Sequence, residues 1–161
     1  MNEFQARHVE KVTGVKQMRL YQWLDRGYIT PSIQQTSNTG VRNIYSLEDL
    51  YHIALFKKLV ESGLSRSVTA KQISQFRQTF SFNEIKTSLK DNKRFTYMNV
   101  ARSFDDDNVN VGFGYYDKKE RPGELETITT KFFGDGFDQV IFFNIEKIIT
   151  EVDEKVAEIT D

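Results

Sequence analysis

The stretch from Thr13 to Asp49 constrains this chain more than any other. It reads T-G-V-K-Q-M-R-L-Y-Q-W-L-D-R-G-Y-I-T-P, then a polar run, S-I-Q-Q-T-S-N-T-G-V-R-N, and finally I-Y-S-L-E-D. Thr13-Gly14 ends a short helix over Ala6 to Val12, because glycine takes the left-handed conformation that turns the backbone out of a helix. The next helix is expected from about Val15 to Arg26, where Leu20, Trp23 and Leu24 recur at i, i+3, i+4 and must face inward. Gly27 closes it, Tyr28 and Ile29 read as a short strand, and Pro31 fixes the exit. Ser37-Asn38-Thr39-Gly40 is a turn signal, after which Val41 to Tyr45 returns as a second strand. Ser46 then caps a third helix, with Asp49 at the reciprocal capping position.

This order of elements is the layout of a helix-turn-helix with a wing. Lys16, Gln17, Arg19, Gln22 and Arg26 are left on the outer face of the second helix. Arg and Lys reach guanine acceptors, Gln pairs with adenine on two atoms, and both kinds bind phosphate oxygens. Core packing gives no reason for a polar hairpin carrying Arg42 and Asn43, whereas a nucleic-acid backbone does. The third helix offers Leu50, Ile53, Phe56 and Val60 as its buried stripe, with Lys57 and Lys58 near its end, and stops at Gly63. Leu64-Ser65 starts a fourth helix through about Phe80, with Val68, Ile73 and Phe76 inward and Lys71 and Arg77 outward.

The net charge of −1 hides an asymmetry. Up to Gln78 there are 11 Lys/Arg against 6 Asp/Glu; beyond it there are 11 against 17. A basic front and an acidic back imply that only the front meets phosphates. At 161 residues the chain has room for one medium domain or two small ones, divided here as 1–78 and 79–161. No apolar run approaches the roughly 20 residues of a membrane-spanning helix, and M-N-E-F-Q lacks the features of a secretory signal, so the expected location is the cytoplasm, without membrane contact. With no cysteine there are no disulfides, thiolate metal sites or thiol redox chemistry.

T-G-V before a basic helix, D-R-G-Y-I-T-P after it, the G-V-R-N-I-Y-S hairpin and S-L-E-D-L-Y-H-I-A-L-F-K-K-L-V-E-S-G-L-S together resemble the DNA-binding domain of the MerR family of bacterial regulators, over roughly residues 4 to 78. The resemblance implies a four-helix winged domain that works as a homodimer on double-stranded DNA at a near-palindromic promoter operator. It places Lys16, Gln17 and Arg19 toward base edges, and Arg42 and Tyr45 where wing residues hold the backbone. It also implies a mechanism in which the dimer bends and untwists promoter DNA, aligning spaced elements for RNA polymerase. Two departures stand out. Many members carry Arg-Tyr-Tyr after the helix's leucine, where this chain has Tyr21-Gln22-Trp23, and Lys16 replaces a frequent capping Ser.

The back half reads differently. Ser81 starts a helix over Phe82 to Asn92, with Phe82, Ile85 and Leu89 on one face. From Arg94 onward R-F-T-Y-M-N-V-A-R-S-F, V-N-V-G-F-G-Y-Y, L-E-T-I-T-T-K-F-F and Q-V-I-F-F are rich in β-branched and aromatic residues and separated by turn signals, which predicts four antiparallel strands. The run Asp105 to Asp107 lacks calcium-loop spacing and reads as a solvated turn. The sheet's aromatics, among them Phe95, Tyr97, Phe113, Tyr115, Tyr116, Phe132 and Phe133, fit a packed sheet face, with an unidentified small-molecule or protein effector left open. Asn144 caps a last helix in which Ile145, Ile149, Val152, Val156 and Ile159 are spaced 4, 3, 4, 3, the seam of two heptads. Dimerisation through this seam and the sheet is expected; the same seam could instead cover its own sheet.

His8 and His52 are the only histidines, and no phosphate loop, nucleophile elbow, paired-carboxylate spacing or metal-ligand cluster is present, so neither enzyme nor cofactor is expected. The fold class expected is α+β: a winged helix-turn-helix followed by a small antiparallel sheet and a C-terminal amphipathic helix. Two other readings remain at this level. One is a recombination-accessory, excisionase-like winged protein, and the other is a protein-interaction module whose helix-turn-helix has become a scaffold.

Overall fold

The computed structural model describes residues 3–35, 42–89, 94–104, 109–117 and 123–160. The chain is α+β and divides into two compact units, one built from Met1–Phe82 and Ile148–Asp161 and the other from Asn83–Lys147. This division differs from the expected cut at residue 78 in grouping Ile148–Asp161 with the first unit.

In the first unit, α1 (Ala6–Thr13) and α2 (Gln17–Asp25) are each ended by a glycine, Gly14 and Gly27, at φ 70° and 68°. A Cβ is poorly tolerated at such angles, so these two positions punctuate the chain where the sequence placed its stops. Lys16 stands at the start of α2 without a side-chain cap. Between α2 and α3 (Leu47–Glu61), Gln34 and Ile44 form an antiparallel bridge through two hydrogen bonds of 3.1 and 2.9 Å. The turn expected at Ser37–Gly40 lies outside the described residues. A second bridge pairs Phe4 with Tyr45.

Ser46 accepts from the Asp49 amide at 3.1 Å while Asp49 Oδ2 accepts from the Ser46 amide at 2.9 Å, so the reciprocal cap forms as its spacing requires. The expected stripe on α3 is too narrow. Every residue from Asp49 to Phe56 is buried, as is Leu59, while Val60 is only partly covered. Such a helix is enclosed on several sides. Trp23 and Tyr28 pack their rings on Phe56, at 4.6 and 6.4 Å between centroids. Phe76 of α4 (Arg66–Thr79) and Phe82 flank His52.

The remaining side is covered by α7 (Ile145–Thr160): Tyr51 donates to Asp153, and Lys58 pairs with Glu151 at 3.2 Å. Ile148, Ile149 and Val152 are buried. The heptad seam is thereby corrected as a dimer surface. Ile145, Ile149 and Val152 are already buried in the single chain, and only Val156 and Ile159 keep partial exposure. A 4, 3, 4, 3 spacing marks an apolar stripe without saying whose surface it covers.

In the second unit, β1 (Arg94–Arg102) is the middle strand of a three-stranded antiparallel sheet of order β2-β1-β3, with β2 (Val109–Asp117) and β3 (Gln139–Asn144) on its two sides. The segment expected as a third consecutive strand, Leu125 to Phe133, is instead helix α6 (Gly123–Gly134). Its threonines and aromatics suggested a strand, but the apolar positions Leu125, Ile128 and Phe132 are spaced 3 and 4 apart, and that helical period prevails over β-propensity. Helix α5 spans Phe82–Leu89; the remainder of the expected helix, residues 90–92, and the Asp105–Asp107 turn lie outside the described residues. Of the aromatics proposed for a pocket, Tyr97 is buried edge-on to Phe142 at 5.7 Å, Phe133 is exposed, and the side chains of Phe95, Phe113, Tyr115 and Tyr116 lie outside the described set.

Candidate nucleic-acid interface

Successive residues of a helix point about 100° apart. Leu20 and Trp23 bury one side of α2, so Met18 and Gln22 stand at the opposite, outward pole, one turn apart. Arg19 and Arg26, two turns apart and both exposed, form one flank. Gln17 and Tyr21 form the other. Uncharged groups at the pole with cations beside them are the arrangement a helix needs to read base edges while its flanks meet phosphates.

The second flank opens on a concavity of about 330 Å3, lined by Gln5, Ala6, Arg7, Gln17, Tyr21, Arg42 and Asn43. Three expected residues, Gln17, Arg42 and Asn43, meet here, joined by Arg7 and Tyr21, which the sequence reading passed over. Arg42 Nη1 donates to Gln5 Oε1 at 3.1 Å, which holds the guanidinium beside α1. Arg7 carries no signal in the sequence beyond lying on the outer face of a short helix; only the packing of α1 beside α2 brings it to this edge.

Glu10, also of α1, reaches the start of α2. Its carboxylate lies 3.1 Å from Lys16 Nζ and accepts from Gln17 Nε2 at 2.8 Å. These bonds, first from Gln17 and then from Lys16, hold the Glu10 pKa below the usual carboxylate range. Two of the expected base-facing side chains are thus tethered by a carboxylate, although Lys16 remains 82% exposed.

Tyr45 requires a correction. It is fully buried behind the bridge to Phe4, and its hydroxyl has no hydrogen-bond partner among the described residues. Burial, reinforced by Tyr21 and Asp49, pushes its pKa up. It is a core residue and does not belong with the surface contacts. Strand alternation explains the error: Tyr45 follows the half-buried Ile44 and projects to the other side.

Beneath this face, Asp49 organises the domain. Besides the cap, it accepts from the Ser32 amide at 2.9 Å and hydroxyl at 2.7 Å, and pairs with Arg77 at 2.8 Å although its own side chain is only 1% exposed. A buried charge needs such saturation. The result ties the segment after Pro31, the start of α3 and the end of α4 together. Next to it is a cavity of about 140 Å3, whose lining includes Tyr45, Asp49, His52 and Arg77. His52 Nδ1 lies 2.7 Å from the Glu48 carbonyl, which can only accept, so Nδ1 carries the proton and Nε2 is left as a buried acceptor. Burial, and then the Arg77 charge, lower the His52 pKa to about 4, so the ring is neutral at pH 7.

No group of three or more His, Cys, Asp or Glu among the described residues could hold a metal ion, and no described helix is long and apolar enough to cross a membrane. No curated protein matches the chain. Residues 4–68, which hold α1, α2, α3 and the bridged segment between α2 and α3, match the family described as MerR HTH family regulatory protein. This match supports a helix-turn-helix DNA-binding domain of the MerR type in the N-terminal part of the chain.

Proposed function

We propose that this protein is a sequence-specific transcriptional regulator that binds double-stranded DNA as a dimer at a near-palindromic promoter operator. The observation that carries this reading is the outward face of α2, with Met18 and Gln22 at its pole and Arg19 and Arg26 on its flank. The segment of residues 32–45 acts as the wing, with Arg42 and Asn43 against the phosphate backbone and Arg7 beside them. The basic charge of residues 1–78 supports the assignment of that stretch, and not the acidic remainder of the chain, to DNA. On this reading the bound dimer bends and untwists promoter DNA, so RNA polymerase is affected indirectly.

The dimer is proposed from the operator symmetry that the resemblance to this family implies. Val156 and Ile159 alone, the partly exposed remainder of the α7 stripe, are too short a seam to pair two helices in water. Pairing therefore draws on further surface.

The test is titration of a duplex, enriched from a random pool by the purified chain, between about 50 and about 200 mM salt. Affinity should fall steeply with salt, and Arg19→Ala and Arg42→Ala should each weaken binding and reduce the log–log slope by about 1. Affinity unchanged in both variants would rule out this face as the DNA contact. A bound motif at recombination ends rather than between promoter elements would favour the recombination-accessory reading.

A further inference from the structure

We infer that Met18 reads a thymine: its side chain seats against the thymine 5-methyl group in the major groove and selects a T·A pair in each half-site. The inference rests on the DNA-binding reading above and goes one step into its specificity. Isolated exposed apolar residues are common and need no explanation. Met18 is set apart by its place. At 71% exposure it is the most exposed large apolar side chain among the described residues, and it occupies the outward pole of α2 within the first turn. Recognition helices present this part of their surface to base edges.

The neighbours of Met18 are already accounted for. Lys16 and Gln17 are engaged by Glu10, Leu20 is buried, and Arg19 stands on the flank. Among the groups that the bases present in the major groove, the one that rewards an apolar partner is the thymine methyl. A thioether chain is flexible and polarisable, so it adapts to that methyl without needing a hydrogen-bond geometry. Gln22, one turn further along the same pole, pairs on two atoms with adenine. Four residues rise about 6 Å along a helix and one base pair rises about 3.4 Å. The half-site should therefore hold a thymine facing Met18 and an adenine about two base pairs away.

The experiment replaces thymine by deoxyuridine, which keeps every hydrogen-bonding group and removes only the 5-methyl. In a duplex enriched by the full-length chain, each half-site thymine is replaced in turn and binding is measured for the wild type and for Met18→Ala. The wild type should lose about fourfold affinity at one position per half-site, the worth of about one buried methyl. Met18→Ala should still bind the duplex and be indifferent to the same replacement. Met18 contributes nothing to the core, so the variant should fold as the wild type does. If the wild type tolerates deoxyuridine everywhere, or Met18→Ala stays sensitive at the same position, the inference is overturned. A chain that binds no duplex above background overturns the DNA-binding reading itself, a different result from intact binding without methyl sensitivity.

Discussion

The Glu10 carboxylate stands 3.1 Å from the Lys16 ammonium, so a helix outside the recognition element holds the first cation of that element in place. The same carboxylate takes the Gln17 side chain at 2.8 Å. A negative charge at the edge of a DNA-facing surface opposes phosphate approach, and it occupies two side chains that would otherwise reach the duplex.

Glu10→Ala should therefore tighten binding to an arbitrary duplex by roughly two- to fivefold and steepen its salt dependence by about 1 in log–log slope, as Lys16 becomes free to displace a counterion. Fluorescence anisotropy across a salt series measures both. If the variant bound more weakly to the enriched duplex and to arbitrary DNA alike, Glu10 would be supporting the interface rather than restraining it.

Tyr45→Phe distinguishes the core placement of this residue from a wing contact. Its hydroxyl is buried and has no partner among the described residues, so its removal should change stability by no more than about 0.5 kcal/mol, or raise it, and leave duplex affinity unaltered. A tenfold loss of affinity in the same titration would place the hydroxyl on DNA.

His52 should govern part of the acid limb of stability. Its pKa is about 4 in the folded chain, against about 6.5 when unfolded, so between these values the unfolded chain binds a proton that the folded chain does not. The stabilising contribution is complete above about pH 6.5 and is lost as pH falls toward 4, a difference of about 3 kcal/mol. Urea unfolding at a series of pH values would show it, and His52→Leu should flatten the curve across this window. An unchanged acid limb in the variant would assign the acid sensitivity to other groups.

Ile149→Ala tests where the α7 stripe packs. Because Ile149 is buried within the single chain, the substitution should cost about 2–5 kcal/mol of unfolding free energy, and the loss should not depend on protein concentration. A dimer seam would give the opposite pattern, with near-normal stability at high concentration and dissociation on dilution.

What could be read in advance followed from local chemistry. Gly14 and Gly27 stop their helices, the Ser46 and Asp49 cap forms, and Ser65 starts α4 by accepting from the Val68 amide. Each of these is decided within a few residues. The relationships that organise the interface are not local. Asp49 holds Ser32 and Arg77 across 17 and 28 residues, Tyr51 meets Asp153 across 102, and Glu10 reaches Gln17 from another helix. A period of 3 and 4 identified the apolar face of α7 but not its partner, and β-branched composition concealed α6. Candidates for the interface could be named from the sequence: Lys16, Gln17, Arg19, Gln22, Arg26, Arg42 and Asn43. Arg7 and Tyr21 entered only through packing, and Tyr45 left through it.

The central claim is that the face built on α2 reads a DNA sequence. Sequencing of fragments that the purified full-length chain retains from a random duplex pool tests it most directly. The expected result is one enriched motif with two inverted half-sites, spaced by about one helical turn or a multiple of it, and lost when Arg19 and Gln22 are replaced by alanine. Retained fragments with no common motif, or the same motif recovered by the double variant, would contradict it.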